Sequence, residues 1–255
     1  MDIETARKLC KLNTEFYREH AESFSSSRQS PWPGMEKCLA IIDEGLPYLE
    51  SELRVLDLAC GNLRFESLLR NTLPQAGIHY YAVDNCDDLL PQKSAAIFQN
   101  LDILDVLLNG QDLNEKLLAP PCELAVSFGF MHHIPSKEYR EKILESLIKQ
   151  VTPDGHIVVT FWQFLKDISL KTKALETHER ALAELGLEEL DENDFILDWD
   201  KLPNTYRYCH NYSDDEIHEL AETIAGKANL VSRFISDGRT NTLNTYLVLK
   251  KSVSP

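Results

Sequence analysis

The run Leu53-Arg54-Val55-Leu56-Asp57-Leu58 constrains this fold most, because it is apolar, short enough for a buried strand, and followed by small residues. Ala59, Cys60 and Gly61 leave the backbone at its end open to close approach by a ligand. Comparable runs recur downstream: Tyr80-Tyr81-Ala82-Val83-Asp84, Ala96-Ile97-Phe98-Gln99 with Asn100-Leu101-Asp102 behind it, residues 123–130, and His156 through Trp162. A helix over Lys137 to Gln150 precedes the last of these, ending at the turn Thr152-Pro153-Asp154-Gly155. Buried strands alternating with helices predict a parallel sheet with crossover helices, which binds ligands beyond the carboxyl ends of its strands.

The flanks are consistent with one α/β domain. Residues 4–22 place Leu9, Leu12, Phe16 and His20 at roughly helical spacing, and the Ser-rich stretch 23–30 with Pro31-Trp32-Pro33-Gly34 is expected to stop that helix. A second helix is predicted over about 35–49, so that residues 1–49 cap a cofactor-binding core over 50–162. Residues 163–212 are less regular, and positions 184–200 hold eight Asp or Glu and no Lys or Arg. They read as a solvated helix and loop or as a lid over the strand ends. A helix near 213–225 and strands over 229–236 and 243–250, framing Asp237-Gly238-Arg239-Thr240-Asn241, predict a terminal antiparallel hairpin.

With 41 acidic against 26 basic residues in 255, the net charge of -15 disfavours broad nucleic-acid binding and DNA as a partner. A local contact or a basic partner remains compatible with it. The cysteines at 10, 38, 60, 86, 122 and 209 show no metal-binding or disulfide spacing. With an N-terminus lacking a leader pattern and no long apolar segment, they predict a cytoplasmic protein without a membrane or metal site.

The acids have distinct chemistry. Asp57 would repel a pyrophosphate but can accept from an ammonium group, and Asp84 suits a ribose diol. Asp102 is placed to accept from an adenine amino group, with Ile103 over the base. Strand-end capping is the alternative for each acid. In Phe128-Gly129-Phe130-Met131-His132-His133-Ile134, an extended chain would point only one histidine into a pocket, and His133 is the expected one. The alternative is that both merely cap the turn.

The stretch Asp57-Leu58-Ala59-Cys60-Gly61-Asn62-Leu63 resembles the acid-x-Gly-x-Gly-x-Gly loop of class I S-adenosylmethionine-dependent methyltransferases, keeping only the middle glycine. Asp84 and Asp102 fall on that family's ribose and adenine acids, and Thr152-Pro153-Asp154-Gly155 resembles its Pro-Gly-Gly turn. The resemblance implies a Rossmann-like α/β fold: a mainly parallel seven-stranded sheet, a C-terminal antiparallel hairpin and helices on both faces. It implies S-adenosyl-L-methionine held by Asp57, Ala59, Cys60, Gly61, Asn62, Asp84, Asn85, Asp102, Ile103 and Phe128. Leu63 in place of a glycine predicts a shifted loop.

A narrower resemblance joins Phe24-Ser25-Ser26-Ser27-Arg28-Gln29-Ser30-Pro31-Trp32-Pro33, Met131-His132-His133, Phe161-Trp162, Arg207-Tyr208-Cys209-His210 and Asn244-Thr245-Tyr246. These are similar, in order, to segments of the transfer-RNA wobble-uridine carboxymethyl methyltransferases. The similarity implies methyl transfer to the carboxylate of 5-carboxymethyluridine in tRNA, with Arg28, His133, Arg207 and His210 as catalytic residues. Trp32, Trp162, Tyr208 and Asn244 would bind the acceptor, and a small zinc-binding activator would be a partner. A carboxylate attacks a sulfonium methyl without a general base, so the guanidiniums and rings are needed only to hold and align it. Arg28 can alternatively tie its loop to the acidic surface. The charge also keeps open a small-molecule carboxyl or N-methyltransferase, and Leu63 an inactive binding subunit.

Overall fold

The computed structural model describes residues 1–43, 52–187, 190–199 and 205–253. The elements, in chain order, are α1 (Ile3–Ser26), α2 (Pro33–Asp43), β1 (Glu52–Leu58), α3 (Arg64–Thr72), β2 (Gly77–Asp84) and β3 (Ile97–Asn100). They continue with α4 (Ile103–Leu108), α5 (Leu113–Lys116), β4 (Cys122–Ser127), α6 (Lys137–Gln150) and β5 (Val151–Trp162). The remainder is α7 (Ile168–Leu185), β6 (Asp194–Asp198), β7 (Tyr206–His210), α8 (Asp214–Thr223), β8 (Ala228–Ser236) and β9 (Asn244–Lys251).

The main sheet has seven strands in the order β3-β2-β1-β4-β5-β9-β8. Strands β1 to β5 pair in parallel, whereas β9 runs antiparallel to β5 and β8 antiparallel to β9. This is the Rossmann-like architecture expected from the sequence. Its order reverses between β1 and β4, which opens a crevice at their carboxyl ends. Alternation along β1 sends Leu56 and Leu58 to one core, shared with Ile143 and Leu147 of α6 and Ile217 of α8. Leu53 and Val55 face the other, with Met35 and Cys38 of α2 and Phe65 and Leu69 of α3. Each such buried aliphatic chain contributes about 1.5–3 kcal/mol.

Several expectations change. Helix α1 continues to Ser26 instead of ending near 22, because a kink at His20 (φ -119°, ψ 18°) redirects it without breaking it. Helix α2 begins at Pro33, where a missing amide hydrogen costs a helix nothing, and the expected extension over 44–49 lies outside the described residues. Residues 152–155 form no separate turn before β5. They lie within it, where Asp154 takes φ 62° and the register with β4 shifts. Strand β4 stops at Ser127, before the expected 130.

The acidic stretch departs furthest from a solvated loop. Strands β6 and β7 form a separate antiparallel ribbon packed against α1 and α7. Asp194 is 3% exposed and accepts from Tyr208 Oη and His210 Nδ1 at 2.7 Å each. Arg140 on α6 reaches Glu216 at 2.9 Å and Asp194 at 3.4 Å, while His210 Nε2 lies 2.8 Å from Glu216. This buried network rivets the ribbon to α6 and α8, since removing one member would leave its buried partners short of a contact. All six cysteines are buried free thiols. Among the described residues, no helix is long and apolar enough to cross a membrane.

Candidate active site

A cavity of about 370 Å³ fills the crevice beyond β1, β2 and β4. Every residue expected to hold the cofactor lines it: Asp57, Ala59, Cys60, Gly61, Asn62, Asp84, Asn85, Asp102, Ile103 and Phe128. Asp57 ends β1 and is 2% exposed, accepting from Tyr80 Oη at 2.6 Å. Burial pushes its carboxyl up to about 7, an effect the Tyr80 bond only partly offsets. Asp84 accepts from the Gly61 and Cys86 amides at 2.9 and 3.0 Å, and burial raises its pKa as well. Asp102 does cap a helix, accepting from the Asp105 amide at 3.0 Å, but its second oxygen takes Asn85 Nδ2 at 2.8 Å and it still lines the cavity.

The loop after β1 holds Leu63 in left-handed backbone. Ala59, Gly61 and Leu63 all have positive φ, at 61°, 52° and 58°. The left-handed backbone thus occurs at all three positions of the glycine pattern, with side chains borne at two of them. Leu63 tolerates it because its side chain is buried, 2% exposed, in the core below α3. A buried acid for an ammonium group, a second for a diol, and apolar Ile103 and Phe128 beside them form a donor set that fits an adenosyl amino acid.

The other half of the cavity is aromatic and cationic. Arg28, Trp32, His132, His133, Trp162, Arg207 and Asn244 line it. Trp32 lies under the Arg64 guanidinium, 4.6 Å from the ring, and against Gly129, where a Cβ would come within 3.0 Å of the indole. Asn62 Nδ2 donates to the Arg28 carbonyl at 2.9 Å, tying the loop after β1 to the loop after α1. Arg28 stacks on Phe24 at 3.9 Å and donates to Ser27 Oγ at 2.8 Å. Arg207 is 7% exposed, and its Nε is buried with no hydrogen-bond partner among the described residues.

The histidine pair corrects one expectation. Residues 131–133 form a 3₁₀ turn, so both rings reach the cavity with centroids 4.1 Å apart. His133 is fully engaged: Tyr17 Oη lies 2.7 Å from Nε2 and the Tyr208 carbonyl 3.0 Å from Nδ1. These partners assign a neutral ring with Nδ1 protonated. Burial and Arg207 push its pKa down to about 3, and burial with neighbouring His133 and Arg207 drives that of His132 well below its usual range. His132 Nδ1 is buried with no hydrogen-bond partner among the described residues. Cys209 brings a third donor within 4.8 Å of the pair, which sequence spacing did not reveal. The set does not fit a metal, because both His133 nitrogens are used and burial pushes the thiol up to about 11.

Two expected contact residues stay off the cavity. Tyr208 and His210 project from β7 into the Asp194 network, because strand alternation sends them opposite to Arg207. Asn244 lines the cavity but donates to Asp237 at 2.9 Å, and Asp237 also accepts from the Gly34 amide at 2.9 Å. It therefore anchors the start of α2 beneath Trp32. Sequence reading missed Tyr80, Asn13 and Trp199. Asn13 is the signal most open to detection, a polar residue between Leu9 and Phe16 on the buried face of α1, bonded to both the amide and carbonyl of Tyr208.

The model of the family described as "Methyltransferase domain" matches residues 28–224, well over half of the chain. The chain is 26% identical over 148 residues to the Mus musculus tRNA (carboxymethyluridine(34)-5-O)-methyltransferase. That alignment covers 58% of this chain but 19% of the mouse protein, so the chain matches about a fifth of its length. A methyltransferase-like protein of Encephalitozoon cuniculi is 25% identical over 236 residues, 92% of this chain and 93% of its own. In fold, the chain is similar to Burkholderia thailandensis 1,6-didemethyltoxoflavin-N1-methyltransferase, with a TM-score of 0.62 and 13% identity over 97% of this chain and 91% of that one.

Proposed function

The chain belongs to the methyltransferase domain family, and from that premise we propose that it methylates the carboxylate of 5-carboxymethyluridine at the tRNA wobble position. The observation that carries this reading is the meeting of Arg28 and Arg207 beside the cofactor half of one cavity. Two guanidiniums recognise a carboxylate by charge-assisted hydrogen bonds, and the unpartnered Arg207 Nε supplies a donor that needs an acceptor. The similarity to the mouse enzyme points the same way.

Asp57 takes the ammonium of the cofactor's amino-acid end, Asp84 the ribose hydroxyls, and Asp102 with Asn85 the edge of the base. When bound, S-adenosylmethionine supplies an electrophilic sulfonium methyl. Arg28 and Arg207 fix the acceptor carboxylate with one oxygen free to attack, while Trp32 and Trp162 wall the uracil and exclude water. No proton moves in forming the ester, which agrees with two histidines held neutral by burial. His132 Nδ1, the unpartnered one, orients the acceptor, and His133 props the Tyr17 and Tyr208 scaffold. The ester is uncharged, so the arginines lose their hold on it and product release is favoured. Residues 1–49, 50–162, 163–212 and 213–250 act as cap, cofactor core, acceptor ribbon and closing hairpin of one domain. A small zinc-binding activator is the expected partner.

The net charge of -15 supports the second reading, a small-molecule carboxylate as acceptor. Nucleoside mass spectrometry of tRNA from a strain lacking this gene separates them. Loss of the methoxycarbonylmethyl uridine with gain of carboxymethyluridine, reversed by the wild-type gene but not by Arg207→Lys, is expected. Unchanged levels in a strain without a second such enzyme refute the tRNA reading.

A further inference from the structure

Asn13 and Tyr17 stand one turn apart on one face of α1, and neither belongs to the glycine-loop pattern or to the histidine and arginine motifs. Among the described residues, β7 pairs with β6 along one edge only, so the amides and carbonyls of its other edge need partners. Asn13 supplies both kinds. It is 6% exposed, its Oδ1 accepts from the Tyr208 amide at 2.7 Å, and its Nδ2 donates to the Tyr208 carbonyl at 3.1 Å. One side chain thus takes the place of a neighbouring strand beside Tyr208, and it fixes the backbone next to Arg207.

A second set of contacts reaches the Arg207 side chain. His133 Nδ1 lies 3.0 Å from the same Tyr208 carbonyl, and its Nε2 lies 2.7 Å from Tyr17 Oη. The Arg207 guanidinium, which can only donate, hydrogen-bonds to the Tyr17 hydroxyl. A hydroxyl accepting from Arg207 must send its own hydrogen elsewhere, and His133 Nε2 is the acceptor it has among the described residues. The circuit runs from Arg207 through Tyr17 and His133 back to the Tyr208 carbonyl. Every member after Arg207 is neutral, since burial and Arg207 push the His133 pKa down to about 3. A carboxylate in the place of Tyr17 would direct the guanidinium too, but it would cancel the charge that an anionic ligand needs. The rings of Phe16, Trp162 and Trp199, 5.4, 5.6 and 5.3 Å from the Arg207 Cζ, offer it π faces and no in-plane acceptor.

We propose that Asn13 and Tyr17 are positioning residues that aim Arg207 into the cavity as a charged, anion-binding side chain. Asn13 sets the strand, and Tyr17 sets the guanidinium at the end of the side chain. That the anion is the carboxylate of 5-carboxymethyluridine rests on the reading above, whereas the orientation of Arg207 does not.

The test uses the full chain as wild type, Tyr17→Phe and Asn13→Leu. Calorimetry with S-adenosylhomocysteine present gives Kd for 5-carboxymethyluridine and for its amide, 5-carbamoylmethyluridine, which has nearly the same shape and no charge. Cofactor Kd is measured alongside. Tyr17→Phe, which loses one hydroxyl and keeps its ring, is expected to weaken binding of the acid about tenfold while the amide and the cofactor stay within about twofold. Asn13→Leu is expected to narrow the preference for the acid at least as far, and if it fails to fold, Tyr17→Phe alone decides. An unchanged preference in Tyr17→Phe overturns the proposal, as does equal weakening of acid and amide, which marks a general loosening. A wild-type chain that binds neither nucleoside, or does not prefer the acid, refutes the carboxymethyluridine reading alone. Carbon-detected NMR of the guanidinium nitrogens then decides, with Arg207 assigned by the loss of its signals in Arg207→Lys. Two resolved Nη signals in wild type that merge in Tyr17→Phe support the proposal, because a held guanidinium rotates slowly. Signals already merged in wild type, or unchanged in Tyr17→Phe, overturn it.

Discussion

Replacing Asp57 by Asn should make the protein more stable and a poorer binder of its cofactor. The side chain is 2% exposed at the end of β1, and burial raises its pKa from 3.8 to about 7. A carboxyl whose folded pKa lies above its unfolded one favours the native state in acid, and that advantage is lost as pH rises through 3.8 to about 7. The difference is about 3 units, so above pH 7 the buried charge costs about 4 kcal/mol relative to the unfolded chain. Asn has nearly the same shape and its Oδ1 can still accept from Tyr80 Oη. Its amide hydrogens need partners in their turn, so about 2 kcal/mol of relief is expected. At about 2–4 °C per kcal/mol for a chain of this size, the ligand-free Tm should rise by about 4–8 °C at pH 8. The gap should be flat above pH 7 and shrink by about 2 kcal/mol on going down to pH 5.5, because wild type then protonates while Asn cannot. Losing the carboxylate beneath the ammonium should weaken S-adenosylmethionine about 100-fold. Differential scanning fluorimetry across pH and calorimetry with the cofactor read both effects. An Asn variant less stable than wild type at pH 8, a Tm gap independent of pH, or an unchanged cofactor Kd would each refute the reasoning.

Three further outcomes are expected. Ala59→Gly, at φ 61°, should stabilise the protein to urea by up to about 1 kcal/mol, because glycine reaches left-handed backbone without a Cβ clash; a loss of stability contradicts the strain assigned to that loop. His210→Ala should lower stability by about 2–4 kcal/mol in thermal melts while leaving cofactor affinity intact, since Asp194 and Glu216 lose a shared partner; normal melting with abolished turnover would restore it to the chemistry. Asp84→Ala should weaken cofactor binding by at least about tenfold, because the ribose hydroxyls lose their acceptor, and an equal Kd would remove Asp84 from that role.

The cofactor half of the site was readable because its signals are local. A strand, the small residues after it and an acid at the next strand end are neighbours along the chain, and parallel pairing must bring their carboxyl ends together. Asp57, Asp84 and Asp102 needed only that geometry to meet in one cavity. The aromatic and cationic half depends on contacts between segments far apart in sequence. Arg28 and Arg207 are 179 positions apart, and nothing in either neighbourhood says that both line one cavity.

Local pattern misled where the backbone state was assumed. An extended chain would make the two histidines diverge, but a 3₁₀ turn aims both into the cavity. A branched side chain disfavours positive φ, yet Leu63 takes φ 58° with its side chain buried. Charge along the acid-rich stretch cannot tell that Asp194 is a buried acceptor riveting a ribbon while Asp191 and Glu192 are exposed.

The sequence by itself determined the alternation of buried strands with helices and the acids at the ends of those strands, because periodicity and small-residue loops are properties of adjacent residues. Only the tertiary structure decided which polar residues face the cavity and which bind the scaffold. On β7, Arg207 turns to the cavity while Tyr208 and His210 turn to Asp194, and that division is set by the face of the ribbon that docks on α1, a contact no stretch of the chain contains alone.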